Sequence, residues 1–81
     1  MTKPLVLKSI ETDDGLRCVD IFRRQDLSFG FEEYRRDPED SRGWQLAGGY
    51  SEQRYQTQDQ ALDSAMACVP WLRKASLSTR S

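Results

Sequence analysis

Apolar and polar residues alternate through the first half of the chain, then give way near its end to spacings of three and four. Alternation is the mark of strands with two unlike faces, and the longer spacing is that of a helix with one apolar stripe. Pro4 to Thr12, PLVLKSIET, reads as a short strand with a proline at its start, where a missing N–H is tolerated. Asp13-Asp14-Gly15 offers hairpin chemistry, with Asp14-Gly15 as a two-residue loop. Leu16 to Arg24, LRCVDIFRR, is the second strand, rich in Val, Ile and Phe. A reversal at Gln25-Asp26, with or without Leu27, leads into a third strand, Ser28 to Arg36. Asp37 to Gly43, DPEDSRG, is a loop, and Gly43 to Arg54 reads as a fourth strand alternating Trp44, Leu46, Gly48 and Tyr50. Gly48-Gly49 marks a bulge or bend within it.

Tyr55 to Leu72 carries the helical signal. Thr57 is the N-cap and Gln60 follows at capping-box spacing, while Leu62, Ala65, Met66, Val69 and Leu72 form the apolar stripe. Asp59 and Asp63 suit the positive end of the helix dipole, and Arg73 and Lys74 follow its other end. Pro70 stops or kinks the helix, leaving Trp71 to cover the edge of the core. The pattern predicts an α+β domain over residues 1–75: a four-stranded antiparallel meander (ββββα) with one C-terminal helix on one sheet face. Residues 76–81 are expected to be a disordered tail.

Register decides which side chains meet the helix. The Asp14-Gly15 loop sets Ile10 opposite Val19 and Leu7 opposite Phe22. A three-residue loop at Gln25 to Leu27 sets Ile21 opposite Phe31, and a two-residue loop sets Phe22 opposite Phe29. With the longer loop, Ile10, Val19, Ile21, Phe29 and Phe31 share the helix face, joined by Trp44 and Leu46. Leu5, Leu7, Cys18, Phe22 and Tyr34 then share the other face, which is more apolar than a solvated face should be. The same register sets Asp20 against Glu32, unfavourable unless a nearby arginine compensates. Cys18 points away from the helix carrying Cys68, so no disulfide is expected.

Composition narrows the range of functions. The 81 residues allow one domain with a small core, for which dimerisation is a common remedy. Twelve Lys and Arg against 13 Asp and Glu give a net charge of −1, with no bulk attraction to nucleic acid or membrane. No apolar run is long enough to span a bilayer and the start does not read as a signal peptide, so a cytoplasmic location is expected. Two distant cysteines and no histidine make no metal site, and no cofactor is expected. Ser–His and Cys–His nucleophiles are excluded, and the adjacent carboxylates fall in turns or on opposite strand faces, so an enzyme is not expected.

Arg23, Arg24, Arg35 and Arg36, with Tyr34 and Trp44 nearby, make weak nucleic-acid binding at the strand ends the alternative reading. Asp26, Asp37, Glu39 and Asp40 interleave with these arginines, as on an ordinary salt-bridged surface. The order of three strands and a helix is similar to that of double-stranded RNA-binding domains. This chain lacks their first helix, however, and has Thr57-Gln58-Asp59-Gln60 where they carry basic residues. The stretch from Gly43 to Val69, with Trp44, Tyr55, Thr57, Ala61 and Ala65, resembles short bacterial proteins of unknown function in which strands lead to one Ala-rich helix. That resemblance implies a bacterial-type cytoplasmic protein and carries no active site. The resulting expectation is a binding or accessory protein, a homodimer or a subunit of a larger assembly, with Leu7, Phe22 and Tyr34 as the contact surface.

Overall fold

A computed structural model describes residues 4–78 of the chain. Strands β1 (Leu5–Glu11), β2 (Arg17–Arg23), β3 (Phe29–Arg35) and β4 (Gln45–Leu46) form one antiparallel sheet in the order β1-β2-β3-β4. Helices α1 (Gln58–Cys68) and α2 (Leu72–Ser78) follow. The α+β meander read from the sequence is therefore present, with two helices in place of one. Residues 76–78, expected in the tail, continue the backbone of α2, and 79–81 lie outside the described residues.

Turn chemistry sets the register of the first three strands. The Thr12 N–H donates to Arg17 O at 3.0 Å and the Gly15 N–H to Thr12 O at 2.9 Å, so the first hairpin closes over residues 13–16 rather than the expected two-residue Asp14-Gly15 loop, at an unchanged register. Gly15 takes a φ of 71°, a left-handed conformation that glycine adopts without a steric penalty. In the second hairpin the Leu27 N–H donates to Arg24 O at 3.0 Å and the Arg24 N–H to Ser28 O at 2.8 Å, closing the three-residue loop. Ile10 thus faces Val19, Ile21 faces Phe31 and Arg23 faces Phe29.

One side of the sheet is closed by both helices. Ile10, Val19, Ile21 and Phe31 meet Ala61, Ala65, Val69 and Leu72, all buried, and Phe31, Ile21, Val19, Val69 and Leu72 are wholly so. Each fully buried Val, Leu, Ile or Phe contributes about 1.5–3 kcal/mol. The stripe of α1 is centred on Ala61, Ala65 and Val69, with Leu62 and Met66 only partly buried beside it. Two alanines at the contact bring the helix axis close to the sheet, leaving the longer side chains to pack around its flanks.

Thr57 Oγ1 accepts from the Gln60 N–H at 3.1 Å, as the capping signal requires. The Gln60 side chain reaches back to the N–H of Gln56, one residue before the cap, at 3.0 Å. Pro70 ends α1: Val69 is extended, as the residue before a proline prefers to be. The break divides the expected helix in two. Leu72 enters the core from α2, and Trp71 packs on its edge with its indole N–H donating to Glu33 at 3.0 Å.

Three sequence expectations are corrected by the register. A bulge between Val6 and Lys8 sets Val6, not Leu7, opposite Phe22. Leu46 pairs with Tyr34, which places it on the face away from the helices, and Trp44 lies under Arg36 rather than in the core. Finally, β4 is two residues long. Beyond Ala47 the chain leaves the sheet and rejoins β3 only at a bridge between Tyr55 and Phe29.

The excursion supplies the aromatics that the core edge needs. Tyr50 stacks on Phe31 with ring centroids 5.0 Å apart, and Tyr55 tilts against the same ring at 6.0 Å. Glu32 holds the excursion in place. Its carboxylate is wholly buried and accepts from the backbone N–H groups of Glu33 (2.9 Å), Gly49 (2.9 Å) and Ser51 (2.8 Å). Arg24 adds a second clasp by donating to the carbonyls of Ser51 and Gln53.

Candidate partner-binding surface

Among the described residues, no helix or strand covers the second face of the sheet. Alternation along β2 and β3 sends Cys18, Asp20 and Phe22 to it, opposite Tyr34, Glu32 and Gly30. Val6, Ser9 and Glu11 join from β1, and Leu46 from β4. Leu46 is 62% exposed and Trp44 39%, with Tyr34 half-buried beside Leu46, while Val6, 51% exposed, lies at the other end of the face opposite Phe22. Tyr34, Leu46 and Trp44 at one end of the open face distinguish it from a solvated sheet surface, where polar residues alternate out.

The three contact residues read from the sequence are divided by the structure. Tyr34 lies on the open face, opposite both Cys18 and Leu46. Phe22 also points there but is buried, with the Arg24 guanidinium 4.9 Å from its ring centroid. A β-carbon on Gly30 would come within 2.9 Å of the Phe22 ring, so glycine lets that ring lie flat across β3. Leu7 is the extra residue of the β1 bulge, half-buried and outside the ladder. Val6, Trp44 and Leu46 are the surface residues that sequence reasoning misses. The signal for Leu46 is its alternation with Trp44, but the phase of that alternation depends on how the 37–43 loop closes.

The middle of the face is polar and internally bonded. Asp20 accepts from Ser9 Oγ at 2.7 Å and from Cys18 Sγ at 3.2 Å. Burial pushes the Cys18 thiol up to about 11, an effect to which Asp20 adds and which the Ser9 hydrogen bond opposes. The thiol is therefore a neutral donor at physiological pH and a poor nucleophile. Burial also raises Tyr34, with Asp20 and Glu32 adding to the effect, so its hydroxyl stays protonated. Asp20 does face Glu32 across the strands, but the compensation comes from Ser9, Cys18 and loop amides rather than from an arginine. Cys18 and Cys68 are both free, one buried and one exposed.

The candidate nucleic-acid residues do not form one patch. Arg23 and Arg24 lie at one end of the sheet, where β2 meets the start of β3, and Arg35 and Arg36 lie at the other. Six residues of strand separate them, about 20 Å at 3.3 Å per residue. Arg24 is committed to Ser28, Phe29, Ser51 and Gln53. Arg36 donates from Nε to Gly15 O at 2.8 Å and lies over Trp44 at 4.4 Å. Among the described residues, no helix is long and apolar enough to cross a membrane. Comparison with known proteins finds no matching family model, no matching characterised protein and no matching solved structure.

Proposed function

We propose that the chain acts by binding, as a homodimer formed through the open face of its sheet, and that it carries out no chemistry of its own. The observation behind this reading is the pair of exposed apolar side chains, Leu46 and Trp44, beside Tyr34, with exposed Val6 farther along the same face, which no helix or strand covers among the described residues. Burying such a set removes apolar area from water at about 25 cal/mol per Å². A second copy is the favoured occupant because the net charge of −1 gives little repulsion between copies.

Sedimentation analysis of the purified protein tests the reading. A dimer is expected at high micromolar concentration, and Leu46→Glu, at a residue 62% exposed, should convert it to a monomer that melts like the parent at concentrations where the parent too is monomeric. A strictly monomeric parent protein at that concentration would overturn the proposal.

A further inference from the structure

At the end of the sheet away from Arg23 lies an open recess of about 460 Å³, bounded by the β1–β2 turn, the end of β3 and the 36–42 loop. Arg17, Arg35, Arg36 and Arg42 line it, together with Asp14 and Asp40. Most of these charges are already engaged. Asp40 binds the Arg42 guanidinium at 2.7 and 2.9 Å, and Asp14 accepts from Thr12 at 2.6 Å and from the Leu16 N–H at 3.0 Å. Arg36 is fixed by Gly15 and Trp44 through one N–H and its ring-facing surface.

Arg17 and Arg35 are different. The β2–β3 register places them directly opposite each other, a like-charge pair that disfavours the folded sheet. Arg17 has two acidic neighbours and no close ion pair with either: Glu33 at 3.9 Å, whose Oε2 also accepts from the Trp71 indole, and Asp14 across the recess. Among the described residues the Arg35 side chain meets no acceptor at all. Two arginines at facing strand positions, both with open donors, match an oxyanion with several terminal oxygens and more than one negative charge.

We infer that this recess binds a phosphate monoester of a small hydroxylated molecule, its phosphate bridging Arg17 and Arg35. A dianion neutralises both facing cations, which a single carboxylate does not. The recess is within the size range of small-ligand sites, and the carboxylates of Asp14 and Asp37 in its wall offer acceptors to the ligand's hydroxyl groups. Those same carboxylates oppose a nucleic-acid strand, whose phosphates would continue past them. This inference is independent of self-association, because Arg17 and Arg35 lie on the helix side of the sheet.

Calorimetric titration of the full chain with ribose 5-phosphate at low salt tests it, with free ribose and a single-stranded oligonucleotide as the other arms. Saturable binding of ribose 5-phosphate is expected, with none by ribose. Arg35→Gln should weaken it at least about tenfold, while Arg23→Gln at the opposite end leaves it unchanged. Without ligand, Arg35→Gln should melt no lower than the parent protein, because it removes one of two facing cations. The inference is overturned by the absence of saturable binding, by equal effects of the two substitutions, by a lowered melting temperature for Arg35→Gln, or by tighter binding of the oligonucleotide.

Discussion

The two faces of this sheet bury side chains by different means. On the helix side burial is collective: Phe31, Ile21 and Val19 disappear beneath Ala61, Ala65, Val69 and Leu72, and each excludes water from the next. On the open side the side chains of Phe22, Cys18 and Glu32 are buried one at a time, each beneath its own local cover. Phe22 has Arg24 above it, Cys18 lies between Ser9, Asp20 and Tyr34, and Glu32 is wrapped by the amides of the 49–51 backbone. Packing on one side tolerates only apolar groups. The other side buries a thiol and a carboxylate because each finds its hydrogen-bond partners nearby.

The comparison can be broken from its strongest point downward. Phe31→Ala removes the ring on which Tyr50 and Tyr55 pack and should destabilise by about 3–5 kcal/mol, most of the stability of a chain this size. Chemical denaturation measures it, and Phe22→Ala, under its single cover, should lose clearly less. Equal losses would show that the open face is as tightly packed as the core.

Glu32→Ala strips the carboxylate from the loop amides and should destabilise by about 2–3 kcal/mol. Hydrogen exchange at Gly49 and Ser51 should accelerate more than exchange in β1 and β2. Uniform acceleration would mean that Glu32 supports the whole sheet rather than one segment of it. Thr57→Ala, which removes the cap of α1, should lower stability by about 1 kcal/mol in the same denaturation experiment. Leu27 has a φ of 71°, a conformation that a branched side chain adopts only under strain, so Leu27→Gly should raise stability by up to about 1 kcal/mol.

Cys18 supplies the smallest test. Its thiol is raised from 9.0 to about 11 by burial, so the folded state holds this proton more tightly than the unfolded chain does. Stability from this group is complete below pH 9 and is lost as pH rises from 9.0 to about 11. Denaturation midpoints for the parent protein and Cys18→Ser should therefore diverge below that window and converge through it. At neutral pH a thiol reagent should label the exposed Cys68 quickly and Cys18 only on unfolding.

Much of the fold is legible in the sequence because it rests on short-range chemistry. The turn residues at Asp14-Gly15 and Gln25 to Leu27, the capping pair Thr57 and Gln60, and the stop at Pro70 act within a few residues of themselves. The candidate surface is less so. Tyr34 and Phe22 reach the open face through the hairpin register, whereas Leu7 is displaced by a bulge that no proline or glycine announces. The four arginines look alike as residue types, yet antiparallel strands carry Arg23 and Arg35 to opposite ends of the sheet.

The linear pattern of residues is enough to specify an antiparallel α+β domain, the pairing of Ile10 with Val19 and Ile21 with Phe31, and a capped helix after the last strand. Those features arise from alternation, turn geometry and capping, which are local. The path of the chain beyond Leu46 is set by the folded molecule alone. There the chain gives up strand pairing to bring Tyr50 onto Phe31, and the backbone amides this frees are taken up by a buried Glu32 on the far face of β3. A long-range exchange of that kind depends on two segments meeting across the sheet edge, and no pattern within either one records it.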